Sequence, residues 1–411
     1  MLSKPLPDKT SSLWNEEFRH SFLNLLGISL DAINIWPPMY TSAIFGKPLN
    51  WFPLHRYSEY TLLNLWRLPR TAKYLFDTGI PSLPLNPPIF CPPFLDTFFF
   101  KPTQILHRPD HNQDYNSFPE ETWVFINGIL TNDSVAQLNA AFISDLFHRP
   151  VTIIQNTTQS LWIDLSECAF GKAWKKEWKD LQEAASKAFP PIYDALKRPD
   201  KKKVIVLAHS QGTIIMSVVL AMLKSIIAAS PFPTERNASP IELLTPDQST
   251  GLPEEAAPPE FIFPYQGVLD PADFSPLTTN EIAKLEIYCF ANCANSMPFY
   301  RQPSDSNAPI PWIENYANEF DIVARLGMLA PNWAGNGIQI DGAIYVKRNA
   351  WGHLLNEHYL KEIEKSQRVR LRKGSQGKSA FAPYQQIRPN LDEQMVTPRL
   401  FEYINGGSPT G

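Results

Sequence analysis

Lys203-Val204-Ile205-Val206-Leu207-Ala208-His209-Ser210-Gln211-Gly212-Thr213-Ile214-Ile215-Met216 decides how the chain is read. Apolar, mostly β-branched residues run into a small-His-Ser-x-Gly turn, and apolar residues at helical spacing (Ile214, Val218, Ala221, Met222) follow at once. The pattern predicts a strand, a sharp turn and a helix. A serine in such a turn sits in a strained backbone conformation. Only small residues two before and two after it let strand and helix pass closely. Ala208 and Gly212 meet that demand, so the turn reads as G-x-S-x-G with alanine in place of the first glycine. The triplet recurs at Ser375-Gln376-Gly377, but there a basic segment precedes it and no strand does. Arg372 also stands where a phosphate-binding loop would need its first glycine.

Working outward, strand patterns alternate with helical ones. Glu121 to Leu130 reads as a strand ending in Asn127-Gly128, followed by a helix carrying Val135, Leu138, Phe142 and Leu146. Val151 to Gln155 is a second strand, Leu161 to Phe189 a long helix, and Lys203 to His209 the strand before the serine. After a proline-rich stretch the pattern returns at Lys284 to Asn292, Trp312 to Asp321 and Gly342 to Lys347, with a helix from Leu354 to about Glu364. Strands alternating with helices imply a mostly parallel sheet flanked by helices, hence an α/β fold. In such sheets ligands bind at the carboxyl ends of the strands, where Asn127-Gly128 and Ser210 both fall.

Three regions follow. Residues 1–118 form an apolar, Pro-rich N-terminal extension, with aromatic stretches such as Trp36-Pro37-Pro38-Met39-Tyr40. Residues 119–365 form the α/β domain, interrupted over 226–280 by a lid-like insertion, and 366–411 form a basic, then polar C-terminal tail. The chain has 411 residues, of which 39 are proline, about twice the usual share, so long irregular loops are expected. A net charge of -4 argues against nucleic acid as a partner. Cys91, Cys168, Cys289 and Cys293 are too few for a disulfide scaffold and lack the paired spacing of a zinc site, so free thiols are expected and no metal. The N-terminus lacks the pattern of a signal peptide, and no long uncharged apolar run spans a membrane. A cytoplasmic protein is expected, with peripheral membrane contact through the apolar extension as a variant.

A serine hydroxyl hardly ionises at neutral pH, so it needs a base, and the base needs an acid to hold its tautomer. The partners would follow in the order Ser, Asp or Glu, His. His353 lies just past the last strand and is favoured as the base, with His358 second. His209, beside the serine, is expected to pack or orient the turn. Asp321 lies just past a strand end and is favoured as the acid, while Glu314, Glu319 and Asp341 read as solvated surface carboxylates. Two backbone N–H groups should face an oxyanion: that of Gln211, after the serine, and that of Ile129, after Asn127-Gly128.

The Ala208-His209-Ser210-Gln211-Gly212 elbow, the Asn127-Gly128-Ile129 loop, Asp321 and Gly352-His353 together resemble the α/β-hydrolase superfamily in its serine esterase and lipase branch, over roughly residues 120 to 365. That resemblance implies a cofactor-independent hydrolase of carboxylic esters with a Ser210–His353–Asp321 triad, acting on a small-molecule or lipid ester. An acyltransferase using the same residues, or a catalytically silent domain that binds a lipid or a partner protein, are the alternatives.

Overall fold

The structure, a computed structural model, describes residues 56–59, 104–108, 118–128, 133–155, 179–227, 273–294, 296–297, 311–330, 338–350, 352–365, 384–386 and 398–409. Its strands are β1 (Gln104–Arg108), β2 (Glu121–Ile126), β3 (Val151–Gln155), β4 (Lys203–His209), β5 (Leu285–Phe290), β6 (Ser296–Met297), β7 (Trp312–Asn318), β8 (Gln339–Ile340), β9 (Ala343–Lys347) and β10 (Gln385–Gln386). The helices are α1 (Asp133–Phe147), α2 (Lys179–Lys197), α3 (Gln211–Ser225), α4 (Thr279–Ile282) and α5 (Ile322–Leu326).

Eight strands form one sheet in the order β1-β3-β2-β4-β5-β7-β9-β10. The inner six are parallel, and β1 and β10 close the two edges antiparallel. The central strands are buried on both faces, the usual state of a parallel sheet. After β2 the chain winds one way to β3, then returns past β2 to β4, so the strand order reverses between β2 and β4. A crevice opens at the carboxyl ends of strands at such a switch point.

One face of the sheet carries an aromatic layer. Phe290 stacks on Tyr316 and Tyr316 on Tyr345, with centroids 5.2 and 5.4 Å apart. Tyr384, Phe401 and Tyr403 pack on or beside this layer. Helices α2 and α3 pack against each other. The expected long helix is described from Lys179 on and runs through Pro190 and Pro191 to Lys197, past the end expected at Phe189. Burial of Ile192, Tyr193 and Leu196 outweighs the hydrogen bonds that the two prolines cannot donate.

Some described residues outside 119–365 also belong to the folded unit. Strand β1 lies upstream of 119. Arg56 to Glu59 dock on α1, with the Tyr57 ring stacked on Phe142 at 5.1 Å and Arg56 paired with Asp145. Beyond 365, β10 pairs with β9, and the 3₁₀ turns of Arg399–Gly406 bury Leu400, Tyr403 and Ile404. The rest of the N-terminal extension, the insertion between 227 and 273 and the basic segment 366–383 lie outside the described residues. Among the described residues no helix is long and apolar enough to cross a membrane.

The final segment closes the amino ends of the strands through buried charge. Arg149, 0% exposed, donates to Glu121 Oε2 at 2.8 Å, to the Phe147 carbonyl at 2.7 Å and to the Gly407 carbonyl at 2.8 Å. Glu314, expected on the surface, is fully buried: it accepts the amides of Arg399 and Leu400 and the Tyr316 hydroxyl. Burial raises its pKa against the opposing pull of these donors. Glu319 and Asp341 are only partly buried, nearer to expectation.

Candidate active site

Strand β4 delivers the serine. Ser210 has φ 57° and ψ -127°, a conformation that costs a non-glycine residue about 1–3 kcal/mol and persists only where the surroundings enforce it. The enforcement is visible on three sides. The Ser210 amide donates to the Phe290 carbonyl at 2.9 Å, and the Ser210 carbonyl accepts from the Thr213 amide at 2.8 Å and hydroxyl at 2.7 Å. A Cβ on Gly212 would come within 2.4 Å of the Ile126 carbonyl oxygen, and one on Gly128 within 2.4 Å of Ser210 Cβ. Ala208, 0% exposed, lies between Ile126 and Cys289 in the sheet. Small residues around the serine are therefore a condition of strand–helix contact. Gln211 is the first residue of α3, and its amide belongs to the turn that has no acceptor within the helix. Ile129 lies outside the described residues.

Asp321 follows β7 and caps α5: its Oδ1 accepts the amides of Val323 and Ala324 at 2.8 and 3.4 Å. His353 follows β9. Its Nδ1 lies 2.9 and 3.1 Å from Asp321 Oδ2 and Oδ1, and its Nε2 lies 2.9 Å from Ser210 Oγ. Ser210, His353 and Asp321, far apart in sequence, thus form one hydrogen-bonded row at the carboxyl ends of β4, β9 and β7. Burial alone would raise the Asp321 carboxyl, but His353 and the Tyr359 hydroxyl beside it hold it below its usual range. Burial would likewise lower His353, and the Asp321 carboxylate overcomes this and raises it.

The other histidines are placed differently. His209 is buried, with Nε2 2.8 Å from the His353 carbonyl oxygen and ring centroids 4.7 Å from His353. Only a protonated Nε2 can donate there, and burial lowers the pKa to about 3, so His209 is a neutral ring that holds the His353 backbone. His358 Nδ1 accepts the Leu354 amide at 3.0 Å, and its ring fills the space a Cβ on Gly352 (φ +98°) would need. Burial lowers its pKa to about 4. It builds the turn behind His353, and the ring at Ser210 is that of His353.

Several contributors escaped the sequence reading. Thr213 ties the elbow to the Cys293 amide at 3.1 Å, and Asn318 Nδ2 donates to the Gly352 carbonyl at 2.9 Å, joining the Asp321 loop to the His353 loop. The Tyr359 hydroxyl donates to Asp321 Oδ2 at 2.6 Å. Glu59 accepts the amides of Asn356 and Glu357 at 2.7 and 3.0 Å. Cys289 and Cys293 are buried thiols, and among the described residues no cluster of His, Cys, Asp or Glu could hold a metal ion.

A parallel sheet with its order reversed at β2 and β4, a strained serine between strand and helix at that point, and an acid and a histidine after two later strands decide the architecture. The chain has the α/β-hydrolase fold. No known family profile and no curated protein sequence matches it. Among solved structures, the chain is similar to a candidate esterase from Staphylococcus aureus, with 9% identity over 67% of this chain and 81% of that one and a TM-score of 0.32. It is similar to an arylesterase, with 8% identity over 78% and 92% of the two chains and a TM-score of 0.31. It is also similar to an α/β-hydrolase enzyme from the metagenome of lagoon sediments at Mar Chica, Morocco, with 11% identity over 66% and 95% and a TM-score of 0.26.

Proposed function

We propose that the chain is a serine hydrolase that cleaves carboxylic esters through an acyl-enzyme, with Ser210 as nucleophile, His353 as general base and Asp321 as the group that orients His353. One observation carries the reading: the unbroken row from Asp321 Oδ2 through both nitrogens of His353 to Ser210 Oγ, with both links at 2.9 Å. Asp321 accepts the proton on Nδ1, which leaves the Nε2 lone pair for the serine hydroxyl. As Oγ attacks the acyl carbon, Nε2 takes its proton. When the ester C–O bond breaks, the proton passes to the departing alkoxide, and water then repeats the sequence on the acyl-enzyme. The amides of Gln211 and Ile129 are assigned to the oxyanion, each donor being worth about 3 kcal/mol of the barrier.

The finer part of the reading is an apolar acyl substrate, reached in part from a membrane surface. It rests on the aromatic, proline-rich composition of residues 1–118.

Intact-mass labelling with a fluorophosphonate, with and without detergent, tests the reaction class. A single adduct on the wild type that is absent from Ser210→Ala supports an activated serine; a wild type that stays unlabelled in both conditions sinks the reading. Because the base must be neutral and Asp321 raises its pKa, kcat/KM should climb with pH through a midpoint above 6.5, the ordinary value for histidine. Esters of graded acyl length then test the substrate class: kcat/KM should grow with chain length, and a preference for acetyl esters would remove the apolar part.

A further inference from the structure

The Asp321 carboxylate takes more hydrogen bonds than holding an imidazole requires. Oδ1 accepts two amides of its own helix, and Oδ2 accepts a side chain from another element, the Tyr359 hydroxyl at 2.6 Å. Tyr359 is 0% exposed and sits on the π-helical turn Leu355–Leu360, which begins directly after the His353 loop. Such widened turns recur at functional sites. The segment that supplies the base thus returns within one turn to touch the acid that orients it. The Tyr359 oxygen in turn accepts the Asn318 amide at 3.2 Å, and its ring packs edge-on against Phe290 at 5.7 Å and near His209 at 6.3 Å.

Packing alone would be served by phenylalanine, since a buried hydroxyl is unfavourable unless its hydrogen bonds are made. Here both bonds lead to the site: one to Asp321, the other to the strand end that carries it. Burial and the neighbouring Asp321 charge raise the phenol pKa well above its ordinary value, so the hydroxyl stays a donor throughout the working range.

We propose that Tyr359 is a positioning residue for the Asp321–His353 pair, its hydroxyl fixing the carboxylate's orientation and drawing off part of the negative charge that would otherwise fall on the imidazole. The proposal rests on the hydrolase reading for its catalytic consequence, but its effect on the pair is independent of turnover. The other titratable groups facing the pair are His209 from the elbow, Cys293 from the loop after β5, Glu59 from the docked N-terminal residues, His358 from the same turn and Tyr384 beside β10. None of them donates a hydrogen bond to Asp321 among the described residues.

The test is the NMR titration of His353 in the full chain with Tyr359→Phe and with 3-fluorotyrosine placed at 359. Loss of the donor leaves more charge on Asp321, so Tyr359→Phe should move the His353 midpoint up by about half a pH unit. The more acidic fluorophenol is a stronger donor and should move it down. Opposite shifts support the proposal; unmoved midpoints, or shifts of one sign, overturn it. If Tyr359→Phe does not fold, the fluorotyrosine protein decides alone: a lower midpoint supports the proposal and an unchanged one overturns it. Steady-state kinetics on Tyr359→Phe should show kcat reduced roughly 10-fold with KM unchanged. Fluorophosphonate labelling of the wild type, run in parallel, judges the hydrolase reading separately, because the histidine titration needs no turnover.

Discussion

At the amino ends of the parallel strands two carboxylates are buried and a third is partly buried under the segment Arg399–Pro409, and at the carboxyl ends another is buried under the His353 loop. Glu121 accepts from Trp123 and Arg149, Glu286 from Tyr288, Tyr403 and Arg399, and Glu314 from Tyr316 and two backbone amides. No imidazole is among these donors. Asp321 is as well supplied with donors, but one of them is an imidazole whose far nitrogen meets a serine hydroxyl. Burial of charge is common to both ends. What separates them is whether the hydrogen-bond row terminates or continues to a transferable proton. The amino end should therefore govern stability and the carboxyl end rate.

The largest expected effect is His353→Ala: a fall in kcat/KM of roughly 10⁴-fold or more on a p-nitrophenyl ester, with the urea midpoint little changed. A residual rate within tenfold of the wild type would break the contrast. At the other end, Arg149→Ala leaves the largely covered Glu121 carboxylate without its guanidinium and should cost about 3 kcal/mol in urea unfolding. The rate per folded molecule should stay within about twofold, since nothing in the catalytic row moves. A tenfold loss in the folded fraction would mean that the two ends are coupled. Gly128→Ala falls between them: its Cβ would press on Ser210 Cβ and on the His209 carbonyl oxygen. A displacement of the nucleophile by about 1 Å should cost on the order of 10²-fold in rate. Unchanged kinetics would show that the elbow yields more easily than its packing implies.

The elbow was legible in the sequence because one strained serine imposes steric demands on residues at fixed spacing, inside a strand–turn–helix pattern that is itself periodic. Asp321 and His353 were legible through chain order, since each follows an apolar strand. Glu314 was misread because carboxylates are usually exposed. A signal was nevertheless present: Glu121-x-Trp123, Glu286-x-Tyr288 and Glu314-x-Tyr316 repeat an acid followed two residues later by an aromatic donor, on one face of three parallel strands. What covers that face is Arg399–Gly406, whose Leu400, Tyr403 and Ile404 have helical spacing but lie beyond a basic stretch that reads as solvated. Tyr359, Asn318 and Glu59 had no local pattern at all. Their roles depend on which loop ends the sheet brings together, and a residue's own neighbours in sequence do not record that.

Glu59 gives the smallest effect and the sharpest version of the contrast. It is a buried carboxylate at the catalytic end that accepts the amides of Asn356 and Glu357 in the turn after His353, and among the described residues no cation or phenol of the kind found at the amino ends donates to it. Burial outweighs those amides and pushes its pKa from 4.5 up to about 7, with Glu357 adding to the rise. A carboxyl whose folded pKa is raised stabilises the fold fully below its unfolded value and loses that contribution as pH climbs through the folded one. The window runs from about 4.5 to about 7, and the contribution at stake is at most about 3 kcal/mol. Because Glu59 holds a single turn, the loss should appear first as local opening. Hydrogen-exchange protection of the Asn356 and Glu357 amides should therefore fall as pH rises through about 7 in the wild type, relative to amides in β4. Glu59→Gln keeps an acceptor without the charge and should flatten that dependence. A wild-type profile already flat across the window would place Glu59 with Glu286 and Glu314, as one more saturated carboxylate, and the distinction between the two ends would then rest on the catalytic row alone.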